Sequence, residues 1–298
     1  MTTIRTSPSR GPASPEVTGF YEADTGSIQY VVSDPGSAQA AIIDAVWNFD
    51  PKHARTSTES ADEILRHVAE RGLKVEWILD THPHADHFMA AAYLKEKLGA
   101  PMGIGDKVRD IAELWAGLYH MPGGFDVDAA FDRLFADGER FTIGGLDVGV
   151  MLSPGHTLGS VTYIIGEDAA FVHDTLMYPD SGTSRADFPG GNAATLYRTV
   201  QKILALPEET RLFVGHDYCE GGREPKWEAT VAEHKARNAH LKGGTSEAEY
   251  VRLRNERDRT LPLPDRMLHA LQVNLRGGRL PEPEADGNSY FKIPANRF

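Results

Sequence analysis

The chain has 298 residues, of which 41% are hydrophobic and 25% are charged, so it can bury one substantial core and carry an appendage. Its formal net charge of −12 argues against a nucleic-acid partner, because phosphate binding needs a basic face. The one cysteine, Cys219, excludes an intramolecular disulfide and fits a reducing compartment. No apolar run approaches the roughly 18 residues of a membrane helix. We therefore expect a cytoplasmic protein without a membrane or nucleic-acid partner.

The first part of the chain predicts a tail, two strands and a helix. Residues 1–15 are rich in Ser, Pro, Thr and Arg and lack the apolar stretch of a signal peptide, so they predict a disordered N-terminal tail. Strand-like apolar runs follow over 28–32 and 40–43. Ser60 and Glu63 have the spacing of a capping box, which predicts that a helix begins there.

The second part of the chain predicts further strands and then helices. Strand patterns recur between 141 and 171, and apolar residues at helical spacing predict a helix over 193–206. Pro225 suits the first position of another helix, so we expect one to begin near Glu224.

Gly243 and Gly244 form the clearest boundary in the sequence. Two helices are predicted beyond it, near 246–259 and 266–275. We expect this C-terminal part to pack on the main domain or to mediate homo-oligomerisation. The predicted organisation is a disordered tail at 1–15, a main domain at 16–243 and a helical extension at 244–298.

The densest group of reactive side chains lies in the motif T-H-P-H-A-D-H, which runs from Thr81 to His87. An apolar, strand-like run over 75–79 precedes the motif, and apolar residues at helical spacing follow it. The motif therefore lies in a loop between two elements, where its side chains can converge on one point. Neutral imidazoles and carboxylates bind zinc, iron and manganese, so the motif predicts a metal site. Its metal-competent residues are His82, His84, Asp86 and His87.

Three later residues support this prediction, because each follows a β-type run and stands at a turn-like loop. Taken singly, each would more often be a capping or hydrogen-bonded residue than a ligand. Four such positions at strand ends in one chain are better explained by a shared metal centre. The three residues are His156, Asp174 and His216.

The order H-x-H-x-D-H, followed by His, Asp and His, resembles that of the metallo-β-lactamase superfamily, over roughly residues 19 to 241. The resemblance implies an α+β fold, an αβ/βα sandwich of two mixed sheets flanked by helices, with the metal site at one edge between the sheets. It is much less specific for the reaction. A first metal site would use His82, His84, His156 and Asp174. A second would use Asp86, His87, His216 and the shared Asp174.

The ligand types leave two kinds of catalysis open. Two metals suit hydrolysis, because they activate water and stabilise developing negative charge. One Fe(II) held by two histidines and one carboxylate instead leaves positions open for a substrate and O₂. His82, His156 and Asp174 would form that three-ligand face. The residues that would support it, or hold a second metal, are His84, Asp86, His87 and His216. A metal-binding or sensing protein without activity is a third possibility.

Three further segments resemble those of the persulfide dioxygenases: Gly155–Ser160, Ser184–Phe188 and Gly215–Tyr218. This resemblance implies an enzyme with one Fe(II) per chain that uses O₂ to oxidise glutathione persulfide, or a related persulfide, to sulfite. Arg185 would bind an anionic end of the substrate, and Tyr218 would place a hydroxyl near the iron, so both are candidate catalytic and substrate-binding residues. The alternative is a glyoxalase II-like hydrolase of thioesters with zinc or a mixed dinuclear site.

The sequence departs from the family pattern at two positions. His173 stands directly before Asp174, where the family usually has glycine, so its side chain either points into the sheet or crowds the site. Asn238–Leu241 replaces an Asn-Pro-Arg-Leu pattern, so a glutathione-binding arginine is missing. A salt bridge with Asp187 is the alternative role for Arg185.

Overall fold

The computed structural model describes residues 3–298, which contain sixteen strands and eight α-helices. The strands are β1 (Thr3–Ser7), β2 (Glu16–Glu22), β3 (Ser27–Ser33), β4 (Gln39–Ile43), β5 (Val46–Asp50), β6 (Arg55–Ser57), β7 (Lys74–Leu79), β8 (Phe88–Met89), β9 (Met102–Gly105), β10 (Arg133–Phe135), β11 (Arg140–Ile143), β12 (Leu146–Leu152), β13 (Val161–Ile165), β14 (Ala169–His173), β15 (Arg211–Val214) and β16 (Glu228–Thr230). The helices are α1 (Glu59–Glu70), α2 (Ala91–Leu98), α3 (Val108–Leu118), α4 (Val127–Ala130), α5 (Ala193–Leu204), α6 (Val231–Arg237), α7 (Glu247–Asp258) and α8 (Met267–Asn274).

The strands form two large mixed sheets and one small sheet. The first sheet has the order β1-β2-β3-β4-β7-β9-β10, in which β4, β7, β9 and β10 run parallel to one another. The second has the order β11-β12-β13-β14-β15-β16, with one parallel pair, β14 and β15. The small sheet joins β6, β5 and β8. This confirms the predicted sandwich of two mixed sheets with flanking helices.

Two apolar layers hold the sandwich together. The inner layer joins the two sheets, and in it Tyr30 of the first sheet contacts Phe171 and Phe213 of the second, with ring centroids 5.2 and 5.6 Å away. The outer layer joins the first sheet to helices through residues such as Ile42 and Ile64. Successive residues of a strand face opposite sides, so a strand covered on both sides reads as a continuous apolar run. This explains why β3 and β4 were recognisable in the sequence.

The predicted disordered tail at 1–15 is wrong over the residues that the structure describes. β1 pairs antiparallel with β2 along its whole length, from Thr3 opposite Tyr21 to Ser7 opposite Val17. Arg211 also donates hydrogen bonds to the backbone of Pro8 and Pro15. An edge strand needs backbone pairing rather than an apolar pattern, so the polar composition of this segment gave no signal. Residues 1 and 2 lie outside the described part.

Two predicted helix starts are also corrected. The first helix begins at Glu59 after an N-cap at Thr58, and Ser60 hydrogen-bonds with Asn48 instead of capping. The helix expected near Glu224 starts only at Val231, because residues 228–230 pair with β15 as β16. A capping box of Thr230 and Glu233 fixes that start.

The C-terminal extension contains the two predicted helices, α7 and α8, and both pack on the main domain. Tyr250 of α7 belongs to the inner apolar layer, and Met267 and Leu271 of α8 belong to the outer one. The extension is thus part of the same packed body as the sheets. Within residues 3–298, every helix is too short or too polar to cross a lipid bilayer.

Candidate metal centre

The loop that carries the T-H-P-H-A-D-H motif follows β7 and is held in place by hydrogen bonds to Asp44. The Thr81 backbone N–H and hydroxyl donate to the Asp44 carboxylate, with an N–Oδ1 distance of 2.7 Å. His84 Nε2 lies 3.0 Å from the same Oδ1 and donates to it. Asp44 is 1% exposed, so these contacts replace its solvation and set the direction of the His84 ring. Sequence reasoning missed this residue.

A second support comes from Asn274, the last residue of α8. Its side-chain amide donates to the carbonyl oxygens of His84 and His87, at 2.8 and 2.9 Å. The Oδ1 atom of the same side chain accepts from the Met89 N–H at 2.8 Å. The C-terminal extension therefore holds the motif loop in place. Asn274 was also missed, because nothing in its local sequence links it to a loop about 190 residues away.

The residues of the predicted three-ligand face converge on one carboxylate oxygen. Asp174 Oδ2 lies 3.7 Å from His82 Nε2 and 3.5 Å from His156 Nε2. The other nitrogen of His156 donates to the Arg185 carbonyl oxygen at 2.8 Å, which leaves Nε2 to face the centre. The centroids of the His84 and His82 rings lie 4.3 Å apart. Residues from three separate strand ends thus meet, as predicted.

The remaining predicted residues form a second group beside the first. His216 places Nε2 2.7 Å from Asp86 Oδ2 and Nδ1 2.6 Å from Asp174 Oδ1. His87 Nδ1 lies 3.1 Å from the same Asp86 oxygen. The Ser27 hydroxyl lies within about 3 Å of all three of these partners, at 3.1 Å from Asp86, 3.2 Å from His87 and 3.0 Å from His216. Ser27 was not predicted, and its position in a buried strand gave no sign of this role.

The ionisation differs among the residues of the centre. Burial, reinforced by neighbouring imidazoles, holds the pKa of His82 and His84 well below its usual value, so both rings are neutral at physiological pH. Burial opposes ionisation of Asp174, but the adjacent His216 and His173 outweigh it and lower the pKa of the carboxyl well below its usual value. For His216, the carboxylates of Asp174 and Asp86 outweigh burial and raise its pKa. Neutral imidazole and ionised carboxylate are the forms that bind metal, so His82, His84 and Asp174 are ready to bind. Nearby carboxylates raise the pKa of His216 and of His173, so these two rings would release a proton on binding a metal.

Unsatisfied nitrogen atoms show that a metal fits here. His82 Nε2, His84 Nδ1 and His87 Nε2 are buried and have no hydrogen-bond partner among residues 3–298. Buried polar atoms are nearly always paired, so a cluster of unpaired imidazole nitrogens indicates a missing ligand. Imidazoles and carboxylates are the donors that zinc and iron share. A metal on these lone pairs would satisfy the centre.

His173 crowds the site, which was one of the two possibilities that the sequence left open. Its ring centroid lies 4.5 Å from that of His84 and 5.2 Å from that of His82. The centre therefore contains one more imidazole than the family pattern implies.

The two predicted substrate residues lie near the centre but differ in how they are held. Arg185 donates two hydrogen bonds to Asp187, at 2.7 and 2.8 Å, and a third to the Pro262 carbonyl oxygen. The salt bridge considered as its alternative role is thus formed. Tyr218 is 60% exposed and its ring stacks on His216, with centroids 5.9 Å apart. Substrate binding by either residue stays a prediction.

A cleft of about 700 Å³ leads from the surface to His87. Trp47 and Phe49 line one part of it, and its charged lining is mixed, with Arg55 and Arg266 among acidic residues such as Glu22 and Asp50. The cleft therefore reaches the second group of donors at His87.

Comparison with known proteins agrees with this architecture. The pattern of the metallo-beta-lactamase superfamily matches residues 27–216. The chain is 58% identical over 283 residues to the beta-lactamase hydrolase-like protein of Agrobacterium fabrum, covering 95% of this chain and 65% of that protein. It is 42% identical over 279 residues to glyoxylase B2 of Dictyostelium discoideum, covering 93% and 96%.

More distant similarity reaches a named dioxygenase. The chain is 27% identical over 261 residues to the mitochondrial persulfide dioxygenase ETHE1 of Homo sapiens, covering 87% of each. Among solved structures, it superposes on ETHE1 from Myxococcus xanthus with a TM-score of 0.69 at 27% identity, covering 88% of this chain and 98% of that one.

The fold, the ordered donor set and the match over 27–216 together define the class: the chain belongs to the metallo-beta-lactamase superfamily. Its buried His/Asp centre is consistent with a dinuclear metal site of that superfamily. The chain spans only 65% of the length of the Agrobacterium relative.

Proposed function

We propose that this chain is a metal-dependent enzyme that acts on the sulfur-linked group of a small thiol conjugate, either a persulfide or a thioester. The observation that carries the metal dependence is the cluster of buried, unpaired nitrogens, among them His82 Nε2 and His84 Nδ1, within residues 3–298. Such a cluster is costly to bury unless a ligand satisfies it. The sulfur chemistry rests on the resemblances in the sequence and on the named relatives.

The first candidate reaction is persulfide oxidation with one Fe(II), O₂ and a persulfide such as that of glutathione. It is favoured by the geometry of Asp174, whose Oδ2 faces His82 and His156 while its Oδ1 accepts from His216. Two histidines and one carboxylate on one face would give a bound iron open positions for substrate and O₂. The superposition on the Myxococcus ETHE1 structure supports the same candidate.

In this candidate reaction the side chains of the protein orient the metal ligands and the substrate and do not react themselves. The His156 ring is oriented by the Arg185 carbonyl, and the His84 ring by Asp44. Such outer contacts fix which nitrogen faces the metal. The aromatic walls of the cleft, Trp47 and Phe49, would pack on the organic part of the substrate.

The second candidate reaction is hydrolysis of a thioester by two metals, zinc or a mixed pair. The names of the relatives favour it over the first candidate, because the more similar ones are called hydrolase-like or glyoxylase. It is also favoured by the complete second donor group of Asp86, His87 and His216. Two bound metals would supply Lewis acidity at the thioester carbonyl.

Arg185 gives a test of substrate binding that holds for either reaction. If its guanidinium also contacts an anionic end of the substrate, Arg185→Ala raises the apparent KM more than it lowers kcat. Equal KM values for the variant and the wild type would assign Arg185 only to its salt bridge with Asp187.

One set of assays on anaerobically purified protein separates the candidates. Metal is identified and counted per chain, and the protein is then assayed for O₂ uptake with glutathione persulfide and for hydrolysis of S-lactoylglutathione. One iron with O₂ uptake and sulfite release supports the dioxygenase. Two metals with thioester hydrolysis and no O₂ uptake with any persulfide overturn it in favour of the hydrolase. Bound metal without either activity would support the non-catalytic alternative.

A further inference from the structure

We propose that His173 is an additional metal ligand, which this chain adds to the donor set of the family. His173 is the last residue of β14 and has a φ of +35°, a conformation that non-glycine residues rarely adopt. The pairing of β14 with β15 shifts register at this point. Strained residues of this kind persist where the surroundings hold them, and they cluster at functional sites. The strain here turns the imidazole into the metal centre.

The His173 ring lies inside the cluster of donors. The ligand atoms of His82, His84, His173 and Asp174 all lie within 4.8 Å of one another. His173 is 2% exposed, so water does not solvate its ring. The ring is thus as deeply placed in the centre as the residues that the sequence predicts to bind metal.

Neither ring nitrogen of His173 makes an aligned hydrogen bond within the described part of the chain. Nδ1 lies 2.9 Å from Asp174 Oδ1, and Nε2 lies 3.6 Å from Asp44 Oδ2. A neutral imidazole offers one N–H and one lone pair, so a buried ring needs two partners. A metal beside Asp174 would bind Nδ1 in place of its proton, which would be released to solvent, and the Nε2–H would point toward Asp44 Oδ2.

His84 already has the arrangement that we propose for metal-bound His173. Its Nε2 donates to Asp44 Oδ1 at 3.0 Å, and its Nδ1 is buried without a partner among residues 3–298. Ligating histidines usually donate their second N–H to a carboxylate in this way. Asp44 therefore has one carboxylate oxygen for each of two ligands, His84 and His173.

Gly215 provides the space for the His173 ring. A Cβ atom at Gly215 would lie 2.3 to 2.4 Å from three ring atoms of His173, which is too close for any real contact. Gly215→Ala would therefore displace the ring without altering a single donor. The imidazole can therefore be removed by substitution of His173 or displaced by substitution of Gly215, and the two effects can be compared.

The proposal rests on the metal centre of the proposed function but not on either reaction. An octahedral ion bound by His82, His84, His173 and Asp174 still has open positions for substrate. The test therefore uses metal binding rather than activity, with Co(II) as the probe. Its visible absorption reports the number and type of ligands, and a chelator competition gives its affinity.

Four variants are compared with the wild type: His173→Gly, His173→Asn, Gly215→Ala and the His173→Gly/Gly215→Ala pair. Asparagine tolerates positive φ, so His173→Asn keeps the backbone conformation if the glycine variant folds poorly. Both His173 variants are expected to change the Co(II) spectrum and to weaken binding at least about tenfold. Gly215→Ala is expected to shift the spectrum in the same direction, but to add nothing in the His173→Gly background. Gly117→Ala, whose Cβ would meet nothing within 4 Å, is the matched control.

An unchanged Co(II) spectrum in both His173 variants overturns the proposal, even if affinity falls, because a ligand cannot be lost without a spectral change. An effect of Gly215→Ala that persists in the His173→Gly background also overturns the inferred contact. If the wild type binds neither Co(II) nor another metal, the proposed metal-dependent function is wrong. Metal binding by the wild type with an unchanged spectrum in the His173 variants would instead overturn only the role of His173.

Discussion

The metal centre and the adjacent contact between the loop at 183–188 and α7 both contain buried polar groups, but the hydrogen-bonding needs of these groups are met very differently. In the loop, the Ala186 N–H donates to Asp258 at 2.8 Å, and Arg254 bridges Asp258 and the Thr183 carbonyl oxygen at 2.8 and 2.9 Å. In the centre, imidazole nitrogens such as His82 Nε2 find no partner anywhere in residues 3–298.

This difference distinguishes polar groups that stabilise the fold from polar groups that bind a ligand. A loop whose polar groups are paired with α7 is complete as it stands, since buried hydrogen bonds offset the cost of desolvation. A centre whose donors face one another without partners is complete only with a ligand. The contrast predicts that substitutions in the two regions have different consequences: loss of metal in one and loss of stability in the other.

The largest effect is expected at the three-ligand face. His156→Ala should remove most of the bound metal, because one of three converging ligands is lost while Asp174 and His82 remain. Metal content after gel filtration, measured by atomic emission, checks this. His53→Ala removes an imidazole that is 70% exposed and should leave the metal content unchanged. Full metal content and activity in His156→Ala would show that the ligand assignment is wrong.

The loop predicts the opposite outcome. Asp258 is 2% exposed and pairs with Arg254, so Asp258→Ala leaves a buried guanidinium without its partner. Breaking a buried ion pair in this way costs about 3–5 kcal/mol. Urea unfolding should show this loss, while metal stoichiometry below the transition stays that of the wild type. Loss of metal from protein that is still folded would show that the two regions are not separable.

A smaller effect is expected from the second donor group if Asp86 supports a single iron without binding it. Asp86→Asn then keeps one metal per chain but lowers affinity or activity about 10- to 100-fold, as for other groups that orient ligands. Metal counting combined with chelator competition measures both quantities. Two metals in the wild type, falling to one in Asp86→Asn, would assign Asp86 as a ligand and favour the hydrolase.

The sequence predicted the parts of the centre that depend on local pattern. His82, His84, Asp86 and His87 lie in one short motif, and the later donors each follow an apolar strand, so their convergence at one sheet edge could be expected. The two buried sheets were predictable for the same reason, since runs such as β3 are apolar throughout.

The supporting residues could not be predicted, because their partners are remote in the chain. Ser27, Asp44 and Asn274 are common polar residues in unremarkable local sequence, and only the packed fold places them against the motif loop. β1 was missed because an edge strand is fixed by backbone pairing with β2 rather than by composition. The orientation of His173 depends on a positive φ and on space above Gly215, neither of which a sequence pattern records.

At neutral pH the smallest effect concerns His240, which occupies the position of the missing arginine. Its Nδ1 accepts from the Thr183 N–H at 2.9 Å, so it fixes the start of the 183–188 loop and must be neutral to do so. Burial, with the nearby Arg254 and Arg257, lowers the pKa of His240 to about 4. Its stabilising contribution is therefore complete above the unfolded-state pKa of about 6.5 and is lost as the pH falls toward 4.

Between these two values the unfolded chain binds a proton that the folded chain does not, so His240 lowers the unfolding free energy by up to about 1.4 kcal/mol per pH unit of acidification. His240→Asn keeps an acceptor at the δ position but cannot titrate. Urea unfolding of both proteins between pH 7 and 4.5 should give a shallower decline for the variant. The difference between the two slopes isolates His240 from the other buried histidines, and parallel slopes would mean that its neutral, accepting state does not hold the loop.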